Sequence, residues 1–149
     1  WHLVNYSPAG MEFARRGAVL GETFAAQVLM FPIPSTNDSN DLLSFIKSGF
    51  KQNSNSTRYE EIESNIKLSE GRGYTCVSVK FTTKDQNAQT SPTRRESLLL
   101  QAESLYCVHP VEQETGFSIM YSHRGKSLYP NLSVEAQAFI SGVQVPEID

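Results

Sequence analysis

Residues 74–83 read YTCVSVKFTT and residues 97–108 read SLLLQAESLYCV, and these two stretches together decide the fold. Each is a strand-like run carrying one cysteine. In the first, Thr75, Val77, Val79 and Phe81 share one side of a two-residue period. Setting Cys76 opposite Cys107 in an antiparallel hairpin places Val77 opposite Tyr106, Val79 opposite Ser104 and Phe81 opposite Ala102. The reversal then falls within residues 86–97, where Gln86-Asn87-Ala88-Gln89-Thr90-Ser91-Pro92 supplies loop chemistry. The loop and the cysteine pair are located independently and agree on one register, which is the warrant for a Cys76–Cys107 cross-strand disulfide. Closing a loop of about 30 residues contributes about 3–4 kcal/mol by chain entropy. Without a CxxC spacing the bridge reads as structural, and it implies an oxidising compartment.

Working outward, residues 1–6 (WHLVNY) read as a short strand ended by the turn Ser7-Pro8-Ala9-Gly10. Met11 to Arg16 and Thr23 to Phe31 read as two more, the second stopped by Pro32 and Pro34. After an Asn/Asp/Ser-rich segment, Leu42, Leu43, Phe45, Ile46 and Phe50 fall at helical spacing. Tyr59 to Ser69 alternates, with Tyr59, Glu61, Glu63, Asn65 and Lys67 on one side. Gly71-Arg72-Gly73 turns the chain into the cysteine hairpin, whose residues 84–95 read as a loop. Phe117 to His123 is the next strand. Ser133 is expected to cap a helix over Val134 to Ser141 that Gly142 ends, with residues 143–145 as an edge strand. The connections are too short for crossover helices. The expected fold is therefore α+β in a single domain over residues 1–149, a largely antiparallel sheet of about six strands with both helices on one face.

The chain has 149 residues, 39% hydrophobic and 19% charged, with a net charge of −3. There is no basic stripe for nucleic acid, and the longest apolar run, residues 28–31, is far too short to span a bilayer. The first residue is Trp1, so the chain is expected to be a processed or trimmed product with any signal peptide out of sight. Asn-x-Ser/Thr sequons stand at Asn5, Asn37, Asn55 and Asn131, a mild excess that a polar-rich sequence produces by accident.

Catalytic signatures are few. His2, His109 and His123 form no HxH, HExxH or His/Cys pattern at metal spacing, so neither a metal nor a cofactor is expected. Ser122 and His123 are strand neighbours that point to opposite faces, and no GxSxG elbow occurs. Glu60, Glu61 and Glu63 read as a soluble edge, and Gly71-Arg72-Gly73 as a hairpin turn without a phosphate-binding helix. One constellation remains. If the strands at 97–108 and 117–123 pair, Tyr106, His109, His123 and Arg124 could meet in a binding pocket at the sheet rim.

From Tyr74 onward, GYTCVSVKF, ESLYCVHP, FSIMYSHRG and SVEAQAFISGVQV resemble the C-terminal half of small, uncharacterised proteobacterial exported proteins, often lipoproteins. There, Leu105-Tyr106-Cys107-Val108-His109-Pro110 is matched by a cysteine one strand earlier. The resemblance implies a periplasmic or outer-membrane address and a lipid-bearing cysteine upstream of Trp1, and it carries over no catalytic residue. The element order is also similar to the sheet-and-helix arrangement of the PsbP-like fold. The leading expectation is a non-enzymatic envelope protein that binds a protein partner or small ligand, touching the membrane only through an N-terminal lipid. The alternative is a small hydrolase working through His109, His123 and Arg124. A secreted eukaryotic domain is the third reading that the sequons permit.

Overall fold

The computed structural model describes residues 1–35, 38–53 and 57–146. The element order is β1 (His2–Ser7), β2 (Gly10–Arg16), β3 (Thr23–Pro32), α1 (Ser39–Asn53), β4 (Tyr59–Ser69), β5 (Cys76–Ser91), β6 (Arg94–Val108), β7 (Thr115–Gly125) and α2 (Leu132–Gly142). The strands form a seven-stranded sheet in the order β1-β2-β3-β7-β6-β5-β4, every pairing antiparallel. The fold is α+β, as its sequence implies, with seven strands rather than six.

The hairpin register is the expected one. Cys76 pairs with Cys107, Val77 with Tyr106, Val79 with Ser104 and Phe81 with Ala102, and Cys76 and Cys107 are disulfide-bonded. The reversal is tighter and later than a loop over residues 84–95. β5 runs on to Ser91 and β6 starts at Arg94, with register shifts between Asp85 and Ala88 and between Gln89 and Ser91. The Asp85 carboxylate accepts from the Asn87 amide at the first shift, so a polar side chain shapes the irregularity.

The two helices pack on opposite faces, which corrects the single-face expectation. Cys76 and Cys107 lie under α2, in a cluster with Leu105, Phe117, Ile119 and Ile140. Val77 and Val79 lie under α1 with Leu42 and Ile46, flanked by Phe50, Phe81 and Tyr106. Adjacent strand residues point to opposite sides of the pleat, so Cys76 and Val77 require a cover on each side. The α2 side continues through Phe24, Ala26 and Tyr121 beneath Leu132 and Ala136.

Helix ends differ from expectation for local reasons. Asp38 caps α1: its carboxylate accepts from the Asn40 and Asp41 amides, while Asp41 accepts from the Asp38 amide, a reciprocal capping pair. In α2 the cap residue is Asn131, without a side-chain cap bond, and the Ser133 hydroxyl donates instead to Glu103 on β6 beneath the helix. Residues 143–145 form no strand; Val143 and Val145 pack as irregular chain against the disulfide cluster. In β4 a register shift between Glu61 and Glu63 breaks the expected alternation, turning Glu61 to the α1 side and Glu63 to the α2 side.

Seven strands spaced about 4.8 Å apart make a sheet nearly 30 Å wide, and one helix about 10 Å across covers only two or three of them. Each face therefore keeps an open area. On the α2 side, the area over β4 and β5 presents Glu63, Asn65, Lys67, Ser78, Lys80 and Thr82, a surface suited to water. At the other end of that same side, β1–β3 present Leu3, Tyr6, Met11, Phe13, Val28 and Met30. This shelf is apolar, and Tyr6 is 72% exposed, Leu3 55%, and Met11 and Met30 40% each.

Candidate functional site

The rim constellation does not assemble. β6 and β7 do pair, but His109 closes the hairpin end, its amide bonded to the Thr115 carbonyl. His123 pairs with Gln101, about eight strand residues away, or roughly 25 Å at the usual strand rise. His109 is a turn-builder: its Nδ1 accepts from the Val111 and Glu112 amides, and its ring meets Phe117 edge-on. Tyr106 lies on the α1 side between Phe31 and Phe50, and burial raises its pKa. Arg124 follows His123 and so points to the opposite face from it.

His123 lies in a cluster that links residues distant in sequence. The imidazole is 2% exposed, and its Nε2 lies 2.8 Å from Glu22 Oε1. Phe24 tilts against the ring and Tyr129 stacks on it at 5.2 Å. The Tyr129 and Tyr121 hydroxyls both donate to Glu135, and Arg15 approaches that carboxylate at 3.6 Å while lying over Phe24. Burial and the Glu135 carboxylate push Tyr121 up to about 12. The Phe24 and Tyr129 rings also pack on each other, 4.9 Å apart, so the three rings form one compact group, and no Ser, Thr or Cys among the described residues is bonded to the imidazole. The cluster works as a strut: Glu22 ties the β2–β3 connection to β7 and also accepts from the Val19 amide.

The hydrogen bond from His123, then the Val19 amide, holds Glu22 below its ordinary value of 4.5. A carboxylate depressed in the folded state stabilises above its unfolded pKa, and that contribution disappears as pH falls through the folded value. Between pH 6 and pH 3 the native chain should therefore lose stability faster than a Glu22→Gln variant. Urea midpoints measured across that range check this, and parallel curves would remove the strut.

A second charged group sits at the far end of the α1 side. Arg58 donates twice to Asp85, both bonds 2.7 Å, and its guanidinium lowers the pKa of that buried carboxylate. The Arg124 Nε and His123 Nδ1 are buried side-chain atoms without a hydrogen-bond partner, as judged among the described residues. No described group of three His, Cys, Asp or Glu residues could hold a metal ion. Of the sequons, Asn5 and Asn131 are exposed, on β1 and at the start of α2, whereas Asn37 and Asn55 lie outside the described residues.

Several depressions among the described residues have room for a ligand, and two of them are set apart by what lines them. The larger, about 1140 Å³, lies between the β4–β5 turn and the end of α2, lined by Arg72, Tyr74, Ser78, Gln137, Ser141 and Gln144 among others. Its arginine is committed to structure: the guanidinium donates to the Ile140 and Val143 carbonyls and to the Tyr74 hydroxyl, capping α2. Gly71 and Gly73 hold left-handed φ angles of 106° and 79°, which place Arg72 for that bond. The other depression, about 590 Å³, opens between α1 and the sheet over Phe50, Ile66, Phe81 and Leu100. Neither it nor the shelf was legible in the sequence, because both depend on where a helix stops covering a strand.

No protein-family model matches the chain, and comparison with curated proteins gives no match.

Proposed function

We propose that this chain is an exported, non-catalytic accessory module of the cell envelope that docks a partner protein on the apolar shelf of β1–β3. The observation supporting this reading is the contrast along one side of one sheet. Over β4 and β5 that side is built of charged, amide and hydroxyl residues, and over β1–β3 of Leu3, Tyr6, Met11, Phe13, Val28 and Met30. An exposed apolar patch bounded by polar surface is the usual signature of a docking site. The open strip is about three strands wide, the diameter of one helix, with α2 as its wall. The occupant is an amphipathic helix of the partner, its apolar stripe on the shelf.

The disulfide supports an oxidising compartment, and the resemblance of residues 74–145 supports the periplasm with an N-terminal lipid tether. Two free thiols in protein taken from its native compartment would remove the export argument. For docking, a photo-crosslinking residue at Tyr6 should give a discrete protein adduct in intact native envelopes, and the same group at Asn65 should give none. Equal labelling at both positions, or none at Tyr6, would overturn the reading.

A further inference from the structure

We infer that the groove between α1 and the sheet is a binding site for a single-chain amphiphile with an anionic head, a medium- or long-chain carboxylate. Its floor crosses three strands, with Ile66 on β4, Phe81 on β5 and Leu100 on β6 facing α1. Phe50 forms the helical wall, 5.9 Å from both Phe81 and Tyr106 ring to ring, and the half-exposed Tyr59 also lines the groove. About 590 Å³ falls within the usual size range for small-molecule sites, and the lining sets Phe50, Ile66, Phe81 and Leu100 among Ser64, Thr83 and the charged groups of the rim.

Charge selects the head. Lys47 and Lys51 stand one helical turn apart on the α1 wall, and Glu61, turned inward by the register shift in β4, is the single carboxylate lining the groove among the described residues. The lining therefore carries a positive excess on a chain whose net charge is −3. Such a local reversal draws an anion to one wall while the tail lies along the sheet. Lysine suits this role, being a point charge on a flexible stem that can follow a head group at the rim.

This site lies on the opposite face from the docking shelf, so the two can be tested apart. Calorimetric titration of the disulfide-bonded protein with dodecanoate, below its micelle concentration, should give saturable one-to-one binding. Dodecyltrimethylammonium, with the same tail, should bind at least about tenfold more weakly. Lys47→Glu with Lys51→Glu should remove that preference. Leu100→Trp, which fills the floor, should abolish binding of both, and Tyr6→Ser on the shelf should leave both unchanged. Circular dichroism on each variant separates loss of binding from loss of fold. Equal affinity for the two head groups, or unchanged binding in Leu100→Trp, would overturn the assignment. So would co-sedimentation with phosphatidylglycerol vesicles in the absence of saturable dodecanoate binding, which would indicate a membrane surface instead.

Discussion

Replacing Cys76 and Cys107 together with alanine is expected to lower the unfolding free energy by about 3–4 kcal/mol. The bridge spans a sequence separation of 31, and its removal frees the β5–β6 loop chiefly in the unfolded chain. Both cysteines are almost fully buried against Leu105, Phe117 and Ile140, so truncation also leaves unfilled volume beneath α2. The sheet itself should survive, because the β5–β6 ladder runs on from the former bridge as far as Ser91 and Arg94. Urea unfolding of the variant and the parent, with far-UV circular dichroism of both, makes the comparison. A loss below about 1 kcal/mol would mean that the bridge constrains little. The disturbance should be felt in α2 and not in α1, since Cys76 faces only the former; amide exchange in the two helices would show the difference.

Leu42→Ala should cost about 2–5 kcal/mol, the range for emptying a buried leucine site. Leu42 is 1% exposed and meets Ile46, Val77 and Val79. It stands one turn before Ile46, and the two are the fully buried anchors of α1, with Leu43 and Phe50 only partly covered. Loss of one anchor should loosen the whole helix, because no covalent staple holds it and it lies over β4 and β5 near the sheet edge. Exchange of α1 amides should accelerate sharply while those of β6 and β7 stay protected. Unchanged exchange together with a loss under about 1 kcal/mol would show that α1 is held by something other than its apolar stripe.

How much of this was readable beforehand depends on the range over which each signal acts. The hairpin register was legible because two cysteines and a polar loop constrain each other within about 30 residues. The placement of the helices on opposite faces differs from the single-face expectation, although the sequence carries a signal for it. Cys76, Val77 and Val79, and Leu105 through Val108, are apolar on both parities, the pattern of strands covered on two faces. The bulge at Glu61–Glu63 has no sequence mark except the poorly placed Ile62, which stays exposed. The partner of His123 was beyond reach, since Glu22 lies 101 positions away and only the β3–β7 pairing brings the two together. Arg124 and Tyr106 were singled out for a rim that does not form, and both instead face the α1 side of the sheet.

The strand order carries a kinetic corollary. β4 to β7 form a run of nearest-neighbour hairpins, and β1 to β3 form another, and the two runs meet only where β3 lies against β7. On a ribosome β1 to β3 emerge early, and β3 has no mate on its far side until β7, the last strand of the described residues, is made. Closing that one seam between distant segments is expected to be the slow step of folding. Until then the unpaired flank of β3 and the oily residues of the nascent N-terminal meander are open to chaperones and to aggregation alike.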